Sequence, residues 1–262
     1  MIIILGYISA FIMGAVLGSL GGGGSILTVP ILVYLMGVSP TVATGYSLLI
    51  VGSAAAFGAY KYFRQGLINV KAAITFAIPS IVAVYLTRAY LIPALPDVLI
   101  SYPVEISRDD AIMVLFAILM VVAAVMMLRN ANQTLKPHTA EHPIALILTE
   151  GAVVGVLTGI LGAGGGFLII PALVLFMGMP MKKAVGASLL IIALKSLIGF
   201  TGDLQAGIDL QIPMLAYFFA ATFLGMAIAT KYAHSFDGKK LQKIFAVFTL
   251  VIAAIILLKE LI

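Results

Sequence analysis

Long apolar runs separated by short polar connections dominate this chain, and the pattern predicts ten helical segments. No Asp, Glu, Lys, Arg or His occurs before Lys61. Three later runs are also free of charged residues: Gly151–Met181, Leu210–Thr230 and Ile244–Leu258. About 20 apolar residues in a helix cross the hydrocarbon core of a bilayer, so we expect membrane-spanning helices. The segments lie near residues 2–20, 25–37, 41–60, 70–92, 110–128, 143–161, 166–178, 183–201, 210–231 and 242–260.

Two of these segments are shorter than the others. The second and the seventh contain about 13 residues each, which at 1.5 Å per residue reach about 20 Å, less than a hydrocarbon core of about 30 Å. Each follows a glycine-rich stretch. We therefore expect half-helices, which either turn back or continue the preceding segment through the break.

The composition restricts the fold class and the compartment. Hydrophobic residues make up 63% of the chain and charged residues 10%, whereas soluble domains contain about 45–50% and 25%. The sequence predicts an all-α polytopic membrane protein, whose first segment is a span and not a removable signal peptide. Cysteine is absent, and the net charge of +5 is typical of membrane loops, so it does not indicate nucleic-acid binding.

The chain contains an internal repeat with a constant offset of 141 residues. Gly18–Ile50 and Gly159–Ile191 are identical at 17 of 33 aligned positions, and both contain a run of glycines followed by a proline. A match of this length at a fixed offset indicates an internal duplication. The repeated element is a glycine-rich break within an apolar run.

The basic residues predict how many segments cross the membrane. If all ten cross, eleven Lys and Arg fall on one side and three on the other; if the short segments turn back, the division is six to eight. Because cytoplasmic loops carry excess Lys and Arg, we expect all ten to cross, with both termini outside. The three basic residues on the outer side are Arg88, Arg108 and Lys259.

The same charges predict that the two halves are inverted relative to each other. In the first half the basic connections follow segments three and five; in the second they follow the counterparts of two and four. Five segments per half, an odd number, produce this inversion. We expect a first half over 1–130, with an outward loop inserted at about 92–110, a connecting loop over 131–142, and an inverted second half over 143–262.

The glycine-rich breaks are the first candidate binding elements. After each break we expect a new helix, at Ser25 and at about Phe167, whose first N–H groups lack partners within the helix. These donors and the positive end of the helix dipole favour an anion, and glycine allows close approach. The alternative is that the glycines only let helices pack closely. The residues are Gly21, Gly22, Gly23, Gly24 and Ser25 in the first break, and Gly162, Gly164, Gly165 and Gly166 in the second.

Three further side chains are candidates for contact with an anion. Ser47 and Ser188 are a repeated pair whose hydroxyls either donate to an anion or bond their own helix backbone. Lys195 lies two turns after Ser188, and a cation inside a membrane segment is a candidate for attracting an anion, unless it extends to the interface. Thr44 and Tyr46 could add donors in the first half only.

The remaining polar residues give weaker signals. Glu150 is a candidate proton-coupling group, although its place near a segment end also fits the interface. Asp203 and Asp209 flank an outward loop, where we expect them to be solvated. The histidines have no metal-ligand spacing, and no nucleophile, base and orienting group occur together, so we predict no metal, no cofactor and no enzyme activity.

The repeated residues resemble a known family. The pattern Gly-x-Gly-Gly-Gly-x-Leu-x-x-Pro-x-Leu, followed by Ala-x-Gly-x-Ser-Leu, occurs once per half, with Ser25 in the first copy where the second has Gly166. It is similar to that of the sulfite exporter TauE/SafE family, also called the toluene sulfonate uptake permeases. The resemblance implies a carrier of sulfur-containing anions in the prokaryotic cytoplasmic membrane. It implies binding elements at Gly21–Ser25 with Ser47, and at Gly162–Gly166 with Ser188, and it does not include Lys195.

The leading hypothesis is an alternating-access transporter of a small anion, sulfite or an organosulfonate, with the lipid bilayer as its surroundings and proton coupling as an option. Two alternatives stay open: an anion channel of the same architecture, and a membrane assembly factor that transports nothing. The sequence does not determine the anion, the direction of transport, the coupling ion or the oligomeric state.

Overall fold

The structure is a computed structural model that describes residues 2–100, 106–131, 144–162, 164–232 and 238–261. Helices make up most of these residues, as the sequence predicts. The predicted connecting loop over 131–142 lies outside the described residues except for its first residue, and so do all three histidines. The helices are α1 (Ile2–Leu20), α2 (Thr28–Tyr34), α3 (Pro40–Arg64), α4 (Val70–Leu86), α5 (Ile92–Ala94), α6 (Arg108–Ala131), α7 (Ile144–Leu161), α8 (Gly166–Pro171), α9 (Met181–Gln205), α10 (Ile212–Tyr232) and α11 (Gly238–Leu261).

Three segments of other helical types connect them. A 3₁₀-helix, Gly21–Leu27, joins α1 to α2, and π-helical turns follow α4 at Thr87–Leu91 and α8 at Ala172–Phe176. Between α5 and α6 the described residues form two short antiparallel strands, β1 (Val98–Ile100) and β2 (Ile106–Ser107).

Within the described residues, six helices are long and apolar enough to cross a membrane by length and composition. They include α1, α3, α6, α9 and α10, together with α4 extended to Ala94. Shorter apolar helices are Gly24–Tyr34, Leu146–Leu161 and Ala246–Lys259. Large apolar side chains face outward along α4 at intervals of one turn, where Ile78, Val82 and Leu86 are 58%, 55% and 50% exposed. Such a stripe is suited to contact with lipid chains.

Left-handed glycines end corresponding elements in the two halves. The φ angles of Gly21, Gly37 and Gly66 are +71°, +70° and +68°, and those of Gly162, Gly178 and Gly207, each 141 residues later, are +63°, +59° and +81°. Only glycine adopts this conformation without strain, so the turns of the repeat are specified locally.

Small residues spaced four apart let the helices of one pair approach closely. In α7, a Cβ atom on Gly155 would lie 2.6 Å from the carbonyl oxygen of Ser80, and Gly151 and Gly159 likewise contact α4 near Phe76 and Thr87. Successive glycines of α7 contact successively later residues of α4 and the turn after it, so α4 and α7 are parallel. The same holds for α1 and α10, which are the counterparts of α7 and α4 in the repeat.

The helices that carry the two serines cross at the centre of the molecule. Along α3, Gly45, Gly52 and Gly58 approach Asp203, Leu197 and Leu189 of α9 in turn, so these two helices are antiparallel.

The short segment between α7 and α9 returns the chain across the molecule. In α9, Gly199 contacts Val84 and Gly202 contacts Arg88, so α9 is parallel to α4. Since α7 is also parallel to α4, α8 and its π-helical turn must lead the chain back between them. This direction agrees with the prediction that the short segments cross, while the inverted relation of the halves stays a prediction.

Candidate functional site

The first glycine-rich break is a 3₁₀-helix and not an open loop. The chain turns at Gly21, and the 3₁₀-helix continues to Leu27 before α2 begins at Thr28. The expected start of a new helix at Ser25 falls inside this 3₁₀-helix, and the α-helical part begins three residues later. The Ser25 hydroxyl donates a 2.6 Å hydrogen bond to the Gly22 carbonyl oxygen. Tight i to i+3 bonding satisfies backbone groups in an apolar interior, where a loop would leave them unpaired.

The second break is more irregular. Gly162, Gly164 and Gly165 all have left-handed φ angles, and α8 begins at Gly166, close to the predicted start. The Gly165 carbonyl accepts from the N–H groups of Leu168 and Ile169 at 3.0 and 2.9 Å.

The two breaks contact each other backbone to backbone. A Cβ atom on Gly22 would lie 1.9 Å from Gly166 Cα, and one on Gly166 would lie 1.8 Å from Gly22 Cα. One on Gly164 would lie 3.3 Å from Ser25 Cβ. The two breaks therefore cross at a point where neither has space for a side chain, so both have glycine there.

Gly24 belongs to a different contact. A Cβ atom there would lie 2.4 Å from the Leu17 nitrogen of α1, so Gly24 lets the 3₁₀-helix fold against the preceding helix. Gly23 lies in the same 3₁₀-helix. The alternative that some glycines serve packing therefore holds for Gly24.

Each break lies against the serine-bearing helix of the other half. Gly21 approaches Ser188, whose hydroxyl oxygen would be 3.0 Å from an added Cβ atom. The resemblance groups Gly21–Ser25 with Ser47 and Gly162–Gly166 with Ser188 by repeat copy, whereas Gly21 lies at the serine of the other copy. The Ser188 hydroxyl donates 2.8 Å to its own helix, at the Val185 carbonyl.

Ser47 lies on α3 between two residues that contact the second break. Thr44 and Val51, one turn to either side, contact Gly162 and Gly164. The Ser47 side chain is fully buried, and its hydroxyl has no hydrogen-bond partner among the described residues.

Lys195 lies at the second break, fully buried, and does not extend to the interface. Its ammonium group donates to the Thr158 hydroxyl of α7, and a Cβ atom on Gly165 would lie 2.6 Å from Nζ. Within the described part of the chain, no carboxylate forms an ion pair with it. A desolvated cation of this kind is costly, which makes a functional role the default explanation.

A buried ion pair that the sequence analysis did not find lies beside these groups. Arg88 of the π-helical turn is 1% exposed, and its Nε lies 2.8 Å from Oδ1 of Asp203. The expectation that Asp203 is solvated is wrong, because α9 continues to Gln205 and buries it at 6% exposure. The sequence does contain a signal for this pair, because Arg88 is a charged residue inside a predicted apolar segment.

Tyr46 and Glu150, the other polar candidates, do not lie at the contact between the breaks. The Tyr46 hydroxyl donates 2.7 Å to the Asp209 carbonyl and accepts from the Gln211 N–H at 2.9 Å. Glu150 is partly exposed and precedes Thr158 by eight residues of helix, or about 12 Å. It therefore lies away from the glycine breaks.

Among the described residues, the polar side chains beside the breaks are hydroxyls and a lysine ammonium group. Lys195, Ser47 and Ser188 lie near the two backbone turns. The carboxylate of Asp203 is paired with Arg88. Such a set of donors is suited to a small anion.

Comparison with known proteins identifies the family. The family model described as "Sulfite exporter TauE/SafE" matches residues 7–256. A "Probable membrane transporter protein" of Xylella fastidiosa is 30% identical over 254 residues, which cover 94% of this chain and 91% of the relative. A protein with a similar description from Methanocaldococcus jannaschii is 30% identical over 243 residues, covering 90% and 85%.

A third relative, "Probable membrane transporter protein YjnA" of Bacillus subtilis, is 28% identical over 246 residues, which cover 91% of this chain and 93% of the relative. No solved structure matches the chain. These descriptions are of membrane transporters and not of enzymes, as the sequence predicts. The chain belongs to the sulfite exporter TauE/SafE family and is a multi-pass membrane transporter of that type.

Proposed function

We propose that this protein is a secondary transporter that moves a small anion, sulfite or an organosulfonate, across the cytoplasmic membrane by alternating access. The observation that carries the proposal is the contact between the two breaks at Gly22 and Gly166, with buried hydroxyl and ammonium donors beside it. The family description supports sulfite as the first anion to test.

The substrate site is formed by both halves. Ser188 of the second half lies at Gly21, and Ser47 of the first half lies between Thr44 and Val51, which contact Gly162 and Gly164. Lys195 supplies the positive charge. An anion bound between these groups receives hydrogen bonds from both halves, so its binding depends on their relative position.

The structure also suggests why the halves must move. In this conformation no methyl group fits between Gly22 and Gly166, and an anion is larger than a methyl group. The site therefore opens when the breaks separate. Rocking of two inverted repeats about a central site is a common way for secondary transporters to expose that site to each side in turn.

The proposed orientation places the basic connections in the cytoplasm and both termini outside. Gly186, near the start of α9, contacts Leu67 and Ile68, which follow α3. The Lys61 and Arg64 end of α3 therefore lies on the same side as Lys182 and Lys183 at the start of α9, in agreement with the positive-inside rule.

Uptake of radiolabelled sulfite and sulfoacetate into liposomes that contain the purified protein tests the proposal. The expected result is saturable uptake that stops with Lys195→Met while the variant still folds. Non-saturating flux with a measurable conductance would identify a channel instead. A folded protein that binds no oxyanion would support the assembly-factor alternative and exclude transport of this class.

A further inference from the structure

The Arg88–Asp203 ion pair uses one nitrogen of the guanidinium and leaves another without a partner among the described residues. Both carboxylate oxygens of Asp203 lie near the same nitrogen, with Nε 2.8 Å from Oδ1 and 3.0 Å from Oδ2. A guanidinium usually meets a carboxylate with two parallel hydrogen bonds from two nitrogens. Asp203 engages only one nitrogen of that pair.

The rest of the guanidinium is held by backbone and hydroxyl groups. Nη1 donates to the Thr44 hydroxyl at 3.0 Å and to the Gly159 carbonyl at 3.2 Å. Nη2 is buried and has no hydrogen-bond partner within the described ranges. Since buried polar groups are nearly always paired, this nitrogen calls for an explanation.

The Arg88 guanidinium is held in place by four helical elements, so it is preorganised for binding. It extends from the π-helical turn that follows α4, and its partners lie on α3, α7 and α9. An arginine positioned in this way loses little freedom when an anion binds, because its geometry is already set.

The ion pair lies directly beside the proposed substrate site. Gly159 accepts from Arg88, and the preceding residue, Thr158, accepts from Lys195. Thr44 contacts both Arg88 and the second break at Gly162. Arg88 and Lys195 therefore bind adjacent residues of α7, and Arg88 is the one nearer to the end of α9.

We propose that Arg88 is a second anion-binding site, in which a substrate oxyanion binds at Nη2 and competes with Asp203 for Nε. The proposal rests on the function proposed above and adds a position on the route between the outer side and the glycine breaks. The Asp203 carboxylate competes with the anion for the guanidinium and so weakens anion binding at Arg88. The weakly bound anion can then move on to Lys195.

The geometry defines the class of ligand. Nε and Nη2 form a fork that fits two oxygens of one group, such as a sulfite, sulfonate or carboxylate. A chloride ion presents a single centre and cannot bridge the fork. Sulfite is therefore the probe for the site, and chloride is the control ligand.

Isothermal titration of purified Asp203→Asn with sulfite tests the proposal. Because the substitution removes the competing charge and preserves the shape, the dissociation constant should fall on the order of tenfold, with no response to chloride. Asp209→Asn, in the exposed loop after α9, is the matched control and should bind as the wild type does. Unchanged or weaker binding by Asp203→Asn would overturn the second site.

Thermal melting separates this role from a purely structural ion pair. Without anion, Asp203→Asn should melt at a lower temperature because Arg88 is left unpaired, and sulfite should restore the melting temperature. A lowered melting temperature of Asp203→Asn that sulfite does not restore would contradict the proposal.

A second variant covers the case in which Asp203→Asn does not fold. Arg88→Lys keeps a positive charge for Asp203 but has no second nitrogen in a fixed fork, so sulfite should bind on the order of tenfold more weakly. Wild-type affinity in Arg88→Lys would count against the site. If the wild type transports sulfite and neither variant changes sulfite binding, only the proposal of a second site is contradicted. If Asp203→Asn binds sulfite but neither the wild type nor any variant transports an oxyanion, only the proposed function is contradicted.

Discussion

Adding one methyl group at Gly22 is the most specific perturbation of the contact between the breaks. The Gly22 φ angle is not left-handed, so alanine is compatible with the backbone there. Its Cβ atom, however, would lie 1.9 Å from Gly166 Cα. The effect of Gly22→Ala is therefore steric and not a matter of backbone strain.

The size of the effect follows from that distance. Nonbonded carbon atoms sit about 3.5 Å apart or more, so the two breaks must separate by about 1.6 Å. The obstacle is backbone, which cannot relieve the clash by changing rotamer. Overpacking of this kind costs about 1–3 kcal/mol. At about 2 kcal/mol, the conformation with the breaks in contact becomes about 30-fold less populated.

The assay compares initial rates of sulfite uptake in liposomes with melting temperatures of the purified proteins. For Gly22→Ala we expect uptake to fall at least about tenfold and the melting temperature to fall as well. Gly199→Ala is the matched control, because its Cβ atom would meet side-chain methyls, those of Val84 at 3.0 and 3.2 Å and one of Leu48 at 3.6 Å. These can give way by a few tenths of an ångström.

One result would refute the reasoning. If Gly22→Ala transported sulfite at the wild-type rate and melted at the wild-type temperature, the close contact of the breaks could not be part of the folded or transporting protein. Loss of activity in Gly199→Ala to the same degree would show that any added methyl has this effect, and would remove the special role of Gly22.

Three further substitutions probe the charge, the free hydroxyl and the packing of the helices. Lys195→Met should lower sulfite uptake at least about tenfold while leaving the melting temperature equal or higher, since a desolvated cation is removed; undiminished uptake would contradict its role. Ser47→Ala should weaken sulfite binding in titrations but not lower stability, because its hydroxyl has no partner to lose; a marked loss of stability with unchanged binding would be the contrary result. Gly155→Leu should lower the melting temperature whether or not sulfite is present, because its Cβ atom would lie 2.6 Å from the Ser80 carbonyl; an unchanged melting temperature would argue against the α4–α7 contact.

The apolar segments and the positions of the breaks could be predicted because both depend on local sequence. The predicted first segment, 2–20, coincides with α1, and the predicted seventh, 166–178, covers α8 and its π-helical turn. Glycine runs inside an apolar stretch end a helix wherever they occur. The 3₁₀ form of the first break was not predictable, since it depends on contacts with α1 and with the other break.

The pairing of each break with the other half could not be predicted from the repeat. Duplication makes Ser47 and Ser188 equivalent, but it does not say whether a break contacts the serine of its own half. Gly21 and Ser188 meet because the first break packs against α9, a contact between elements far apart in the sequence. Close packing of helices does leave a sequence signal, because Gly151, Gly155 and Gly159 all contact α4 or the turn that follows it. The spacing of these three glycines, four residues apart, is a signal that the sequence does contain.

The Arg88–Asp203 pair was missed for a physical reason. A charge near the end of an apolar segment is usually solvated, and Asp203 follows the predicted end of its segment at 201 by two residues. The argument that identified Lys195, that an ionisable residue within an apolar segment is costly and needs a partner, applies equally to Arg88. A partner for Arg88 can be recognised only when α4 and α9 are seen side by side.

Anomalous diffraction from crystals grown with selenite, a heavier analogue of sulfite, tests the central claim most directly. The account predicts a selenium peak where the two breaks meet, within hydrogen-bonding distance of Lys195 Nζ and of the Ser47 or Ser188 hydroxyl, with Gly22 and Gly166 further apart than in this structure. A peak at a site away from both breaks, or no peak at a selenite concentration that saturates transport, would contradict it.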